Sequence, residues 1–281
     1  MAYAPSPRPT FSEATPIPFA SVTRHLWGDP EAGEVADWIY ASTDKIHQLL
    51  FGIAPGGAFR HSDNFRTIFA ADEVLYVLSG VMVLANPERG EVHRLMPGDA
   101  AFFRRDTWHH AFNHSSEPVR VLEYFAPPPS QGTSGAYAQT KPNLVNSKYV
   151  LEEAHGRWPM ERDEIERNFT IRVMREADML WQLSGEQNQV LVGLLASTEH
   201  LMVGKMILQP GQHSDIEIHD GDECLYVVDG TLNMHAPEKD GPRWFELSAQ
   251  DGFFVPAGTP HQYYNVSGKS VTLLFGVAPN Q

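Results

Sequence analysis

Asp72-Glu73-Val74-Leu75-Tyr76-Val77 recurs later in the chain as Asp222-Glu223-Cys224-Leu225-Tyr226-Val227, at an offset of 150 residues (223 − 73). A glycine follows each copy at that same offset, Gly80 and Gly230. Three further polar residues recur 152 residues apart (261 − 109): Asp99, His109 and Asn113 correspond to Asp251, His261 and Asn265. A near-constant offset over such a span indicates a duplicated unit, so the chain is predicted to contain two similar halves.

The composition is that of a globular protein with an acidic bias. Of the 281 residues, 42% are hydrophobic and 20% are charged, and the formal net charge is −14. Nucleic acids and anionic membranes attract basic surfaces, so neither is expected as a partner. A small-molecule substrate remains compatible with this charge, because a few local cationic groups or a metal ion are enough to bind a small anion.

The single cysteine, Cys224, lies in an apolar strand pattern and has no intrachain partner for a disulfide. This composition suits a reducing compartment. Residues 1–20 contain prolines but no basic segment followed by an apolar run, so they predict neither a signal peptide nor a membrane span. We therefore expect a cytoplasmic protein.

Short β-type runs separated by Gly, Pro, Asn and Asp predict an all-β fold, an antiparallel sandwich or barrel in each half. The runs are His47–Ile53, Val74–Leu78, Met82–Ala85, Ala100–Phe103 and Val119–Phe125, and then Val190–Leu195, His200–Leu208, Cys224–Val228, Thr231–His235, Gly252–Val255 and Val271–Val277. The predicted organisation is an arm at 1–20, a first barrel at 21–128, a connector at 129–165 and a second barrel at 166–281.

The connector is predicted to be mostly irregular. We expect one short helix in it, at Tyr149–His155, and helical character at Glu161–Asn168 and around Glu176–Leu180. The wider stretch Phe169–Leu183 is ambiguous between strand and helix. A connector of this length is expected to pack over one barrel or across a dimer contact.

The second half contains a pattern of potential metal ligands. Glu217 and His219 are two residues apart, so on a strand their side chains point to the same face. Glu223 follows after the turn Asp220-Gly221-Asp222, and His261 comes much later. Carboxylates and imidazoles gathered in this way favour a site with nitrogen and oxygen ligands for a divalent metal of the first transition row.

The layout resembles the cupin superfamily. The first cupin motif is Gly, five residues, His-x-His, three or four residues, Glu, six residues and Gly, and Gly211, Glu217-x-His219, Glu223 and Gly230 follow its spacing. The second motif is Gly-Asp, four residues, Pro-x-Gly, two residues, His, three residues and Asn. It corresponds to Gln250-Asp251, Pro256-Ala257-Gly258, His261 and Asn265. The resemblance covers about residues 46–126 and 200–277 and implies two tandem double-stranded β-helix (jelly-roll) barrels, that is, a bicupin.

The resemblance also implies a ligand set, namely Glu217, His219, Glu223 and His261. Glu217 stands where the family usually has the first histidine. Two carboxylates make the ligand set harder, in the sense of hard and soft ligands, which favours Mn(II), Zn(II) or Fe(II) over softer metals. We expect one ion per chain, in the second barrel. Glu217 is either a ligand or an acid–base group beside the metal.

The first half keeps only part of these motifs. Glu73 and His109 are present, but the segment before Glu73 reads Phe65-Arg66-Thr67-Ile68-Phe69-Ala70-Ala71, without a His-x-His or Glu-x-His pair. Arg104 and Asp106 replace the usual Pro and Gly of the second motif. We therefore predict a degenerate, structural first barrel. The alternative is a weak metal site formed by His61, Glu73 and His109.

The favoured function is a metal-dependent enzyme of hydrolase, lyase or isomerase type. It would act on a small polar metabolite with a carboxylate group by Lewis-acid and carboxylate acid–base chemistry. Glu217 and Glu223 are the candidate catalytic residues, and His213, His235 and Tyr263 are candidate pocket residues. The pattern is similar to bicupin ureidoglycine aminohydrolases, which pair a spent first barrel with a Glu-x-His second barrel. Glu223 and His261 depart from the third and fourth ligands of that group.

Two alternatives remain open. A non-haem Fe(II) dioxygenase would use His219, His261 and one Glu as a two-His, one-carboxylate set. A non-catalytic bicupin for storage or ligand binding is the third hypothesis. A homodimer is expected in each case, because cupin barrels often pair through edge strands.

Overall fold

The computed structural model describes residues 6–127 and 135–279, and β-strand is the predominant regular secondary structure in these ranges. The strands before the connector are β1 (Thr15–Ile17), β2 (Thr23–Asp29), β3 (Gly33–Ser42), β4 (His47–Ile53), β5 (Ala58–Phe59), β6 (Asp72–Ser79), β7 (Met82–Asn86), β8 (Glu91–Leu95), β9 (Ala100–Phe103), β10 (His110–Asn113) and β11 (Val119–Ala126). The strands after it are β12 (Arg172–Met174), β13 (Leu180–Ser184), β14 (Val190–Ser197), β15 (Met202–Leu208), β16 (Asp222–Asp229), β17 (Thr231–His235), β18 (Trp244–Ser248), β19 (Gly252–Val255), β20 (Gln262–Tyr264) and β21 (Val271–Ala278).

Each half forms a barrel from one large and one small antiparallel sheet. In the first barrel the large sheet has the order β12-β9-β6-β11-β4-β3-β2, and the small sheet has the order β5-β10-β7-β8. In the second barrel the corresponding orders are β1-β19-β16-β21-β15-β14-β13 and β18-β17-β20. Apolar side chains at alternate strand positions fill the space between the two sheets of each barrel. The all-β, two-barrel prediction is therefore confirmed.

The two barrels exchange one short strand each. β1 belongs to the N-terminal arm but pairs with β19 of the second barrel, with Pro16 opposite Phe253. β12 follows the connector but pairs with β9 of the first barrel, with Val173 opposite Ala101. Since Ala101 and Phe253 are equivalent positions, the exchange follows the internal duplication. The predicted range 166–281 for the second barrel therefore contains a strand of the first barrel, and the predicted arm contains a strand of the second.

A shared hydrophobic core joins the barrels. It contains fully buried side chains from both halves, among them Tyr40, Tyr124 and Tyr226. A Cβ atom on Gly276 would lie 2.5 Å from the Tyr124 ring, so only glycine lets this ring approach β21 so closely. The Tyr40 hydroxyl donates a hydrogen bond of 2.7 Å to the Gln250 carbonyl, which adds a polar contact between the halves.

The helices are short: α1 (Gly135–Gln139), α2 (Arg162–Glu166) and 3₁₀ turns at Phe19–Ser21, Glu152–Ala154 and Glu176–Asp178. The helix predicted at Tyr149–His155 is wrong, because only the turn at Glu152–Ala154 forms there. The Tyr149 hydroxyl lies 2.9 Å from Nδ1 of His110, and this contact holds the segment against the first barrel. Residues 128–134 of the predicted connector lie outside the described residues. None of the described helices is long and apolar enough to cross a membrane.

Two departures from the cupin motifs keep the backbone shape of the residues they replace. Asp106 has φ of 65°, close to the 77° of Gly258 in the other copy. Gln250 has φ of 77°, and its counterpart Gly98 has 93°. Left-handed φ is uncommon for residues other than glycine. The duplicated turn geometry is therefore retained in both barrels even where the sequence has changed.

Glu91 anchors the exchanged strand β12 to the first barrel. Its carboxylate accepts hydrogen bonds from the Thr170 N–H, at 2.9 Å to each oxygen, and from the Ile171 N–H at 3.2 Å. Burial raises the pKa of Glu91, but hydrogen bonds from His93 and these two N–H groups outweigh it and lower the pKa below 4.5. Ionised Glu91 therefore stabilises the fold above pH 4.5, and this contribution is lost as the pH falls through the lowered pKa.

Glu91→Gln is expected to lower the free energy of unfolding at pH 7 by about 2 kcal/mol, because the buried N–H groups lose a charged acceptor. Urea unfolding at pH 7 measures this loss, and the deficit should shrink as the pH falls below the pKa of Glu91. Glu88→Gln, an exposed carboxylate of the same hairpin, is the matched control. Equal stability of the Glu91 and Glu88 variants at pH 7 would contradict the anchoring role.

Candidate metal centre

The four predicted ligands of the second barrel come from three segments of the chain. Glu217 and His219 lie in the extended segment between β15 and β16, Glu223 lies on β16, and His261 lies just before β20. The backbones of Glu217 and His261 form an antiparallel bridge with N–H to carbonyl hydrogen bonds of 2.8 and 3.0 Å. This bridge brings two distant parts of the second half together and places their side chains on the same side.

The side chains of these four residues converge. Ligand atoms of Glu217, His219 and His261 all lie within 4.8 Å of one another. Glu223 joins the same group, because its Oε2 is 2.9 Å from Nε2 of His261 and 3.8 Å from Nε2 of His219. The two imidazole rings therefore lie close to two carboxylates.

Solvent exposure differs among the four side chains of the centre. The side chains of Glu223 and His261 have no solvent exposure, whereas those of Glu217 and His219 are 23% and 21% exposed. Glu223 and His261 therefore form the floor of the centre. Glu217 and His219 form its rim, where a small molecule can reach them.

The imidazoles are oriented for coordination through Nε2. Nδ1 of His261 lies 2.9 Å from the Thr259 carbonyl, which can only accept, so Nδ1 keeps a proton and Nε2 is the nitrogen that can bind a metal once its own proton is lost. Nε2 of His219 is buried without a hydrogen-bond partner and faces Glu217 at 3.6 Å and Glu223 at 3.8 Å. A buried nitrogen left unpaired between carboxylates is expected of a metal-binding residue, so the donor set fits a divalent cation.

Charge pairing shifts the pKa values within the centre. Burial alone lowers the pKa of His261, but the Glu223 carboxylate outweighs it and raises the pKa to about 8. Burial alone raises the pKa of Glu223, but His261, His219 and the Tyr263 hydroxyl together lower it. Glu223 is therefore held as a carboxylate at neutral pH, whereas His261 has to release a proton when it binds a metal.

The three candidate pocket residues separate into two groups. Tyr263 is fully buried, and its hydroxyl donates a short hydrogen bond to Oε1 of Glu223 and lies 3.2 Å from Nε2 of His261. His213 instead stacks on Tyr264 with 4.9 Å between ring centroids, and His235 stacks on Trp244 at 4.2 Å. Successive strand residues point to opposite faces, so Tyr264 and the rings around it lie on the outer face of the small sheet. The structure does not bring His213 and His235 together with the four ligands.

The alternative site of the first barrel is not assembled as predicted. Nδ1 of His61 lies 2.7 Å from Nε2 of His110, and Nε2 of His61 lies 2.8 Å from the Leu144 carbonyl. Both ring nitrogens are therefore engaged beside a cavity of about 520 Å³ between the first barrel and the connector. His61 is thus not available to Glu73 and His109.

Sequence reasoning missed Glu123, which lies with Glu73 and His109 so that ligand atoms of all three are within 4.8 Å of one another. Glu123 belongs to neither cupin motif. The signal that could have found it is its position two residues from Val121 and Phe125, which share its strand face and belong to the core of the first barrel.

Comparisons with known proteins agree with this architecture. A family model described as "Cupin domain" matches residues 50–125 and 204–277, which together make up just over half of the chain. No curated protein sequence gives a significant match.

Solved structures of low sequence identity share the fold. The putative glyoxylate induced protein from Pseudomonas aeruginosa superposes with a TM-score of 0.67 at 16% identity, covering 98% of this chain and 92% of that one. Protein Ylba from E. coli gives 0.65 at 11% identity, covering 98% and 95%. Oxalate decarboxylase from Bacillus subtilis gives 0.61 at 14% identity, covering 97% and 78%.

Proposed function

The chain belongs to the cupin family, and from that premise we propose that its second barrel is the active site of a metal-dependent enzyme. The substrate class is a small, polar metabolite that carries a carboxylate, and the reaction is of hydrolase, lyase or isomerase type. The observation that carries the proposal is the unpaired, buried Nε2 of His219, which faces two carboxylates beside a second imidazole.

His219, Glu223 and His261 are the residues that would hold the ion, and the Glu217 carboxylate lies beside it. Two carboxylates balance the charge of a divalent cation, and mixed oxygen and nitrogen ligands suit Mn(II), Fe(II) or Zn(II). When bound, such an ion supplies Lewis-acid chemistry to an oxygen atom of the substrate.

The accessible carboxylate at the rim is suited to proton transfer. Glu217 is the more exposed of the two carboxylates, and its Oε2 lies 3.6 Å from Nε2 of His219. We assign Glu217 the role of accepting or donating a proton at the substrate, which general acid–base groups do when they lie within hydrogen-bonding reach. Glu223 is fully buried and is fixed by the Tyr263 hydroxyl, so its role is to hold the ion and to orient His261.

Similar structures support the metal and the substrate class. One of the matching structures of Bacillus subtilis oxalate decarboxylase is described by its Mn(II) centres, and this protein superposes on the present chain with a TM-score of 0.61. The names of that enzyme and of the glyoxylate induced protein both refer to small carboxylates. At 13% to 16% identity these likenesses show the fold, and the chemistry is proposed from the side chains of this chain.

The test of this function is a turnover assay on the Mn(II)-loaded chain. A panel of 2-oxo acids, 2-hydroxy acids and dicarboxylates is incubated with and without O₂, and the products are followed by NMR. We expect turnover of at least one compound without O₂, and Glu217→Gln should retain the ion but lower kcat by roughly 10²–10⁴-fold. Glu246→Gln, an exposed carboxylate of the same barrel, is the control and should leave kcat unchanged.

Two outcomes would contradict the proposal. Turnover that requires Fe(II) and consumes O₂ would identify a dioxygenase instead. A non-catalytic cupin would be favoured if no compound reacts and none changes the water-proton relaxation of bound Mn(II).

A further inference from the structure

A second cluster of ionisable side chains is enclosed in the first barrel. Glu73, His109 and Glu123 are 1%, 2% and 6% exposed, and ligand atoms of all three lie within 4.8 Å of one another. A fourth ionisable residue, Asp37, is 8% exposed, and its charge acts on Glu123. Unlike the centre of the second barrel, this cluster has no member at an exposed rim.

The duplication shows what the first barrel has lost. The His109 N–H bonds the Thr67 carbonyl, as the His261 N–H bonds the Glu217 carbonyl, so Thr67 occupies the position of Glu217. The Asp106 N–H bonds the Phe69 carbonyl, as the Gly258 N–H bonds the His219 carbonyl, so Phe69 occupies the position of His219. Two ligand positions on this wall of the first barrel are therefore filled by residues that do not bind metals in this setting.

The opposite wall has gained carboxylates. Glu123 lies opposite Leu75 in the strand register, and Phe275 lies opposite the equivalent Leu225, so a carboxylate stands where the second barrel has a phenyl ring. Asp37 pairs with Phe51, and the equivalent pair is Val192 with Met206. Both acidic residues thus replace apolar residues of the second barrel's core.

The loss of a tyrosine leaves Glu73 without its hydroxyl partner. Tyr263 hydrogen-bonds Glu223 in the second barrel, and the equivalent position in the first barrel is Ala111. Oε2 of Glu73 is buried without a hydrogen-bond partner and lies 3.6 Å from Nε2 of His109. Nδ1 of His109 lies 3.2 Å from the Thr107 carbonyl, which leaves Nε2 to face the carboxylates. His109 is therefore oriented like His261 of the second barrel, with Nδ1 at a backbone carbonyl and Nε2 directed at a carboxylate.

The surroundings of the cluster make uncompensated charge costly. The His109 ring packs against Phe59, Phe69 and Phe103, with centroid distances of 4.7 to 5.8 Å. Glu73 and Glu123 are buried beside this ring, so solvent does not screen their charges. Carboxylates enclosed in this way either stay protonated or bind a cation.

We propose that the first barrel binds its own divalent cation of the first transition row between Glu73, His109 and Glu123. Two carboxylates neutralise the ion, and one imidazole favours Mn(II) or Zn(II) over Mg²⁺. The ion links β6 and β11 to the segment before β10. Because the ligands are enclosed, this ion is structural, and its presence does not depend on the activity of the second barrel.

The test counts metal ions in the full chain. The protein is stripped with a chelator, reloaded with Mn(II) alone or Zn(II) alone, and passed through a desalting column before elemental analysis. We expect about two ions per chain in the unmodified protein, about one in Glu123→Gln, about one in His261→Ala, and about none in the double variant. Glu117→Gln, an exposed carboxylate just before β11, controls for weak binding to the acidic surface and should retain about two ions.

A second measurement, of thermal stability, distinguishes a structural ion from a proton shared between the carboxylates. In the His261→Ala background, Mn(II) should raise the Tm, and adding Glu123→Gln should abolish that rise. The proposal is overturned if the unmodified chain binds one ion and Glu123→Gln does not reduce that number. It is also overturned if Glu123→Gln raises the Tm of the metal-free chain while the metal content stays constant, because the carboxylates would then share a proton. If His261→Ala fails to fold, the comparison of Glu123→Gln with the unmodified chain still decides the question.

Discussion

His261→Ala is expected to abolish tight metal binding at the second barrel. His261 has no solvent exposure and contributes the Nε2 atom that lies closest to Glu223, at 2.9 Å. Loss of a residue that merely supports a metal ligand costs 10–100-fold in affinity, so loss of a ligand itself should cost more than about 100-fold. Competition with a chelator of known affinity measures this change.

The same substitution should also destabilise the metal-free protein. Without His261, Glu223 keeps its hydrogen bond from Tyr263 but loses the nearer of its two imidazole partners. Breaking a buried pair by removing one partner costs about 3–5 kcal/mol, which urea unfolding in the presence of chelator would detect. His213→Ala is the matched control, because His213 belongs to the same barrel but stacks on Tyr264 on the outer face. If both variants bind metal equally well, the proposed ligand set is wrong.

Tyr124→Ala is expected to cause the largest loss of stability in the shared core. The ring is fully buried between the barrels and is packed closely over Gly276. Removing a buried aromatic ring leaves a cavity and costs about 3–5 kcal/mol, which should appear as a lower midpoint of urea unfolding.

Tyr124→Phe separates the ring from its hydroxyl group. The hydroxyl accepts a hydrogen bond of 3.0 Å from Nε2 of Gln48, so this variant should lose only about 1 kcal/mol. Leu180→Ala, on the exposed edge strand β13, should leave the midpoint close to that of the unmodified protein. A Tyr124→Ala variant as stable as Leu180→Ala would show that the barrels do not depend on this contact.

Local sequence pattern was sufficient to predict most strands and the clustering of four polar side chains in the second barrel. Ala100–Phe103 and Thr231–His235 are observed with the predicted bounds, because alternation and flanking turn residues are local properties of the sequence. The convergence of Glu217, His219, Glu223 and His261 also follows from motif spacing once the barrel is assumed. The hairpin of β2 and β3, by contrast, lies before the first predicted run.

Long-range pairing could not be predicted from the same patterns. β1 and β12 are three residues each, and a short strand does not specify which sheet it joins. Tyr149–His155 forms only the turn at Glu152–Ala154, and the Tyr149 hydroxyl contacts His110 of the first barrel, a pairing that local pattern does not specify. Glu123 and Asp37 lie outside both motifs, so only their alternation with apolar neighbours indicates that they face the interior of the barrel.

The most direct test of the account is anomalous X-ray diffraction from crystals grown with Mn(II) and recorded at the manganese absorption edge. We expect an anomalous peak bounded by Nε2 of His219, Nε2 of His261 and the Glu223 carboxylate, and a second peak between Glu73, His109 and Glu123. Crystals that show ordered side chains but no peak among the second-barrel residues would contradict the central claim. A peak in the second barrel alone would uphold the metal centre and refute the structural ion of the first barrel.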